Sequence, residues 1–127
     1  MSGPMEIGPT KLCPKGGRLV WSHYPASGEN AVMLMAPSGE RLLVLSVCPH
    51  PPTPPAADDE MWIKDWSENE GVADALVKAG VVTLTGRTAP AGHAVMLHAK
   101  LTPEALADRA ARQPRDDRAQ QLRTRPL

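Results

Sequence analysis

Phenylalanine is absent from the chain, and three Trp and one Tyr are its whole aromatic complement. An aromatic-rich core is thereby excluded, and the interior falls to Val, Leu, Ala and six Met, a flexible gap filler. Two cysteines are too few for a disulfide framework, so Cys13 and Cys48 are expected to remain thiols in a reducing cytoplasm. Cys48 closes an apolar run and reads as a small hydrophobe. Cys13 lies in a Pro/Gly-rich lead-in without the basic cluster that activates a thiolate. No run of ~18 or more apolar residues occurs, and the N-terminal stretch lacks the cationic-then-apolar order of a signal peptide. A cytoplasmic protein without membrane attachment is expected. Net charge is also lacking, with 14 Lys and Arg against 14 Asp and Glu, which argues against a dedicated nucleic-acid binder.

Chemical signatures are missing as well. Neither G-x-x-x-x-G-K nor G-x-G-x-x-G is present, and Thr85-Gly86-Arg87-Thr88 is better explained as a tight turn than as a phosphate loop. Cys48-x-His50, Cys13, His23, His93 and His98 carry N and S donors, but no C-x-x-C or H-x-x-x-H pair sets them at tetrahedral spacing. No metal and no cofactor are expected.

What is there fits one domain of 127 residues. Residues 1–17, with four Gly and three Pro, read as a flexible N-terminal arm. Residues 18–104 read as a single α+β domain interrupted by a Pro-rich loop at 49–60, and residues 105–127 as an Arg-rich, largely disordered tail in which only Ala105–Arg112 is helix-prone. Strands are expected from period-two alternation over Arg18–Tyr24, Ala94–Leu101 and Met61–Trp66, the last with Trp62, Lys64 and Trp66 on one face and Met61, Ile63 and Asp65 on the other, and from apolar runs over Ala31–Ala36, Arg41–Cys48 and Val81–Thr85. Pro37-Ser38-Gly39-Glu40 turns the second into the third as an antiparallel hairpin, and Gly86–Gly92 reads as a connector. Ser67-Glu68-Asn69-Glu70 matches the S-x-x-E capping box, so a helix is expected from Ser67 to an αL cap at Gly80. The architecture that follows is a mostly antiparallel sheet of about four to six strands with one short helix packed on a face.

The block Ile63-Lys64-Asp65-Trp66-Ser67-Glu68-Asn69-Glu70-Gly71, followed by Ala75-Leu76, Ala79-Gly80, Thr85-Gly86-Arg87-Thr88 and Pro90-x-Gly92, resembles a family of small bacterial proteins of uncharacterised activity, some carried by phages or plasmids. The resemblance covers roughly Val32–Leu101, and the Pro-rich loop and Arg-rich tail depart from it. It implies a fold and a mobile-element setting, and no activity.

A strand end, a helix cap and a helix start already account for these residue types. The sharper reading is a binding surface made by Trp62, Lys64, Asp65, Trp66, Glu68, Glu70 and Arg87, acidic and aromatic at once. Charge segregates along the chain: Asp58–Asp74 holds seven acidic residues against Lys64, and Ala105–Leu127 holds six Arg against three Asp. Arg109, Arg112, Arg115, Arg118, Arg123 and Arg125 are therefore candidate anion or nucleic-acid contacts. The function expected first is a non-enzymatic interaction module whose partner is another protein. The alternatives are a nucleic-acid accessory protein acting through the tail, and a small enzyme pairing Asp65, Glu68 or Glu70 with His93 or His98.

Overall fold

Alternation decides which side of each strand is buried. Leu19 and Trp21, Val32 and Leu34, and Leu43 turn to one side and are buried, while Arg18, Val20, Ser22, Met33 and Met35 turn to the other and stay half-buried. The computed structural model describes residues 5–11, 13–49 and 51–112. Its elements are β1 (Glu6–Ile7), β2 (Gly17–His23), β3 (Asn30–Met35), β4 (Arg41–Val44), β5 (Glu60–Ile63), α1 (Val72–Lys78), β6 (Val82–Ala91), β7 (Ala94–Leu101) and α2 (Pro103–Arg112). A four-stranded sheet runs β1-β2-β3-β4 and a three-stranded sheet runs β5-β7-β6, with every pairing antiparallel.

The α+β class and the β3–β4 hairpin are as the sequence implies, but the strands divide between two sheets and a second helix is present. The Pro-rich loop parts the sheets, since proline cannot donate to a ladder. They meet again where Ser46 bridges Ile63, the Val47 N–H donates to the Trp62 carbonyl at 3.0 Å and the Lys64 N–H to the Leu45 carbonyl at 3.0 Å. One core results, filled from both sheets by Leu34, Leu45, Met61, Ile63 and Ala99 and from α1 by Val72 and Leu76. A smaller cluster of Trp62, Ala89 and Met96 lies on the opposite face of the three-stranded sheet.

Four expectations are corrected. Of the segment before residue 18, the described residues 5–11 and 13–17 are not a free arm: β1 pairs with β2, and Ile7 and Cys13 are buried in the core at 4% and 7% exposure, while residues 1–4 and 12 lie outside the described residues. The Gly86–Gly92 connector is strand as far as Ala91; Gly86, at φ 88°, sits in the register shift between Leu84 and Thr88 that keeps β6 on β7. The capping box does not form. Asn69 is drawn inward to donate to the Val44 carbonyl at 2.6 Å, Ser67–Asn69 closes as a 3-10 turn, and α1 begins only at Val72, after Gly71 at φ 92°. Finally, Ala105–Arg112 forms the helix its sequence favours, α2, but packs on the core through the fully buried Ala105 rather than belonging to the tail, and the tail reading beyond Arg112 lies outside the described residues.

Candidate functional site

Trp62 is not available to a partner. It is 2% exposed, its indole N–H donates to the Pro54 carbonyl at 3.3 Å, and the Arg87 guanidinium stands 5.8 Å above its ring. Trp66 is half-buried beside the same cluster, with the Lys64 ammonium 5.9 Å from its ring. Lys64 also donates to Glu68 at 2.7 Å, which holds the Glu68 carboxyl down at about 2. Asp65 accepts from the Ala73 N–H at 3.0 Å and so serves the first turn of α1 from outside the helix, in place of the expected cap. Glu70 is exposed. Of the seven residues, Trp62, Trp66 and Arg87 gather around the smaller cluster, Lys64 and Glu68 form a charged rim, and Asp65 is occupied by α1.

Of the tail arginines, two are described, and both are engaged within the fold. Arg109 donates to the Asn30 side-chain oxygen at 2.8 Å and to Asp58 at 2.6 and 2.9 Å. Arg112 pairs with Asp108 at 3.5 Å. Arg115, Arg118, Arg123 and Arg125 lie outside the described residues. Among the described residues no three His, Cys, Asp or Glu side chains converge as metal ligands. Burial and the hydrogen bond that the Cys48 thiol gives to Glu29, at 3.1 Å, push that thiol up and keep it protonated.

The histidine–carboxylate pair found among the described residues joins two that no sequence motif connects. His98, 2% exposed, approaches Glu60 Oε1 at 3.2 Å through Nε2 and the Thr85 hydroxyl at 2.7 Å through Nδ1, with Trp62 packed edge-on at 4.8 Å. Asp65 and Glu68, the carboxylates expected beside a histidine, bond Ala73 and Lys64 instead. A hydroxyl, an imidazole and a carboxylate in series can relay a proton. Acyl transfer also needs free donors facing the developing oxyanion, and the adjacent Arg87 N–H is occupied by the Thr85 hydroxyl at 3.3 Å. The arrangement is best understood as satisfaction of a buried imidazole.

The Ala57 N–H, and after it His98, hold the Glu60 carboxyl below its ordinary range against the opposing effect of burial. A carboxylate depressed in the folded state contributes stability above its unfolded pKa and loses it as pH falls through the folded value. Thermal unfolding followed downward from pH 6 is therefore expected to show a loss in the native chain, on the order of 1 kcal/mol or less, that Glu60→Gln does not share. Parallel curves for the two chains would remove Glu60 from the account.

The outer face of the four-stranded sheet is a further candidate that no motif in the sequence marks. Register sets Val20 opposite Met33, Met33 opposite Val44, Arg18 opposite Met35 and Ser22 opposite Ala31. Val44 is 39% exposed, and Val20, Met33 and Met35 are half-buried without belonging to either hydrophobic cluster. Both helices pack on the main core on the other side, α1 through Val72, Ala73, Ala75 and Leu76 and α2 through Ala105 and Leu106. Beside Val44 a hollow of about 290 Å³ is shared by Arg41, Leu42, Lys64 and Glu68, so the charged corner of the Lys64–Glu68 pair borders the apolar face. The available signal was that Ala31–Ala36 is apolar at odd and even positions alike, which leaves apolar side chains on both sides of β3. The chain matches no protein-family model, no curated protein and no solved structure.

Proposed function

We propose that this protein is a non-enzymatic interaction module, acting in the bacterial cytoplasm, that docks another protein on the outer face of its four-stranded sheet. The observation that carries this reading is the contiguity of Val20, Met33, Met35 and Val44 across three strands, with no helix of the described chain over them. Contiguous apolar surface left uncovered marks interaction sites, and thioethers adapt to partners of varied shape. Arg18, Arg41, Lys64 and Glu68 edge the patch with charge, the polar rim around an apolar centre that interfaces present. Trp66 and Arg87 belong instead to the small cluster on the other sheet.

Met33→Lys combined with Val44→Lys places two ammonium groups at the centre of the patch. Partner recovery from nuclease-treated extract of the host is expected to weaken by about 30-fold or more, the effect of about 2 kcal/mol lost at an interface centre. Stability should stay within about 0.5 kcal/mol of the native chain, because both side chains reach solvent. Undiminished recovery by the double variant would sink the proposal, and a Glu70→Lys chain serves as the charge-altered control.

A further inference from the structure

At the end of the four-stranded sheet where β2 begins and β3 ends lies a cleft of about 570 Å³ with a mostly apolar wall that includes Pro14, Pro37 and Leu42, the last shared with the hollow beside Val44. Its size lies within the ~300–1,000 Å³ typical of small-molecule sites, which combine apolar lining with a few placed polar groups. Among the described residues three charged ones line it: Glu6, Lys15 and Arg18. Arg18 and Glu6 are register partners on adjacent strands, yet no ion pair joins them among the described residues. The Arg18 Nε is buried from solvent and has no hydrogen-bond partner among the described residues. A guanidinium whose stem is enclosed and whose charge is unanswered lowers its free energy by receiving an anion, and its planar fork matches a carboxylate.

We propose that this cleft binds a small organic carboxylate: an apolar body against Pro14, Pro37 and Leu42, and a carboxylate head at Arg18 with Lys15 beside it. Glu6 sets the selectivity, because it disfavours multiply charged anions and leaves one negative charge as the best match to two cations. The inference goes beyond the docking reading, since it concerns a different ligand class, and each can fail while the other stands.

The test is a ¹H–¹⁵N NMR titration of the full chain with sodium octanoate, 1-octanol and octylammonium chloride. Octanoate is expected to bind saturably and to shift the amides of Gly16, Gly17 and Ala36. Octanol should bind about tenfold more weakly, reflecting loss of the charge-assisted hydrogen bonds, and octylammonium more weakly still. Arg18→Met should abolish the preference for octanoate over octanol while leaving octanol binding unchanged. Equal binding of the three probes, absence of saturable octanoate binding, shifts confined to other faces, or an octanoate preference that survives in Arg18→Met overturns the proposal. If Arg18→Met does not fold, the comparison of the three probes on the native chain decides alone.

Discussion

A chain ending at Glu104 is expected to melt well below one ending at Arg112, although the eight residues that separate them are mostly Ala, Arg and Asp. Those residues form the body of α2. Ala105 is fully buried, Leu106 packs on the core, the Trp21 indole N–H donates to Asp108 at 2.7 Å, and Arg109 holds both Asn30 and Asp58. Removing them uncovers Trp21, now 4% exposed, and strips partners from two buried polar groups, the Trp21 N–H and the Asn30 oxygen. At ~1–3 kcal/mol for each orphaned group the loss is on the order of 2–6 kcal/mol, before the apolar contacts of α2 are counted. At roughly 4 °C for each kcal/mol the melting temperature falls by about 10–20 °C, and tryptophan emission moves to longer wavelength as Trp21 meets water. Arg109→Met isolates the clasp, at about 1–3 kcal/mol. Equal melting of the two truncated chains would mean that α2 does not hold the fold. Any test of the arginines beyond 112 must therefore cut after Arg112, because a cut at Glu104 damages the domain.

The clasp illustrates why a composition that looks solvated can be structural. Asp108 and Arg109 stand in a charged stretch, and their partners lie 87 and 79 residues away along the chain at Trp21 and Asn30. Sequence pattern carries local signals, so the helix-prone Ala105–Arg112 stretch does become helix, its Ala105 N–H bonded to the Thr102 hydroxyl at 3.1 Å. What that helix docks against is set at long range. The same reasoning covers the capping box: its spacing is right, but the bond from Asn69 to Val44 pulls the third residue inward, and tertiary contact overrides the local motif. At Gly80 no such competitor acts. The Gly80 N–H bonds the Val77 carbonyl and the Val81 N–H the Leu76 carbonyl, both at 3.0 Å, and α1 ends in the Schellman arrangement that the glycine foretold.

The candidate site was legible only in part, for a related reason. Alternation correctly opposed Trp62 to Met61 and Ile63, and both sides of β5 proved to be buried, one in each cluster. Whether the Trp62 face meets water depends on the Pro-rich loop, which folds back to set Pro54 and Ala56 against it. Periodicity along β5 says nothing about that loop. The Glu60–His98–Thr85 series likewise appears only once β5, β7 and β6 are laid in register, since its members are 38 and 13 residues apart. A histidine two residues from Met96, on the face opposite Leu97 and Ala99, was the one local hint that β7 has two buried sides.

Gly16→Ala is expected to be among the most damaging single substitutions, because it tests the docking of a segment that composition marks as an arm. Gly16 adopts φ +66°, and a Cβ there would stand 2.0 Å from the Ile7 carbonyl oxygen and 2.8 Å from that of Gly8. The left-handed conformation alone costs a side-chain-bearing residue about 1–2 kcal/mol. No rotamer relieves a clash with backbone, so β1 must lift from β2, and uncovering Ile7 costs about 1.5–3 kcal/mol more. The sum, about 3–5 kcal/mol, predicts a fall in melting temperature of roughly 10–20 °C, together with rapid alkylation of Cys13, which is 7% exposed in the native chain. Gly28→Ala separates strain from clash: it shares a positive φ, +76°, but nothing lies within 4 Å of its added Cβ. It should lose only the conformational part and leave Cys13 protected. If Gly16→Ala behaves like Gly28→Ala, β1 is not pressed against the Gly16 turn. If Cys13 is uncovered while the melting temperature holds, the segment docks on the core without supporting it. A large fall with Cys13 exposed makes residues 5–17 part of the domain, and with them the wall of the Arg18 cleft.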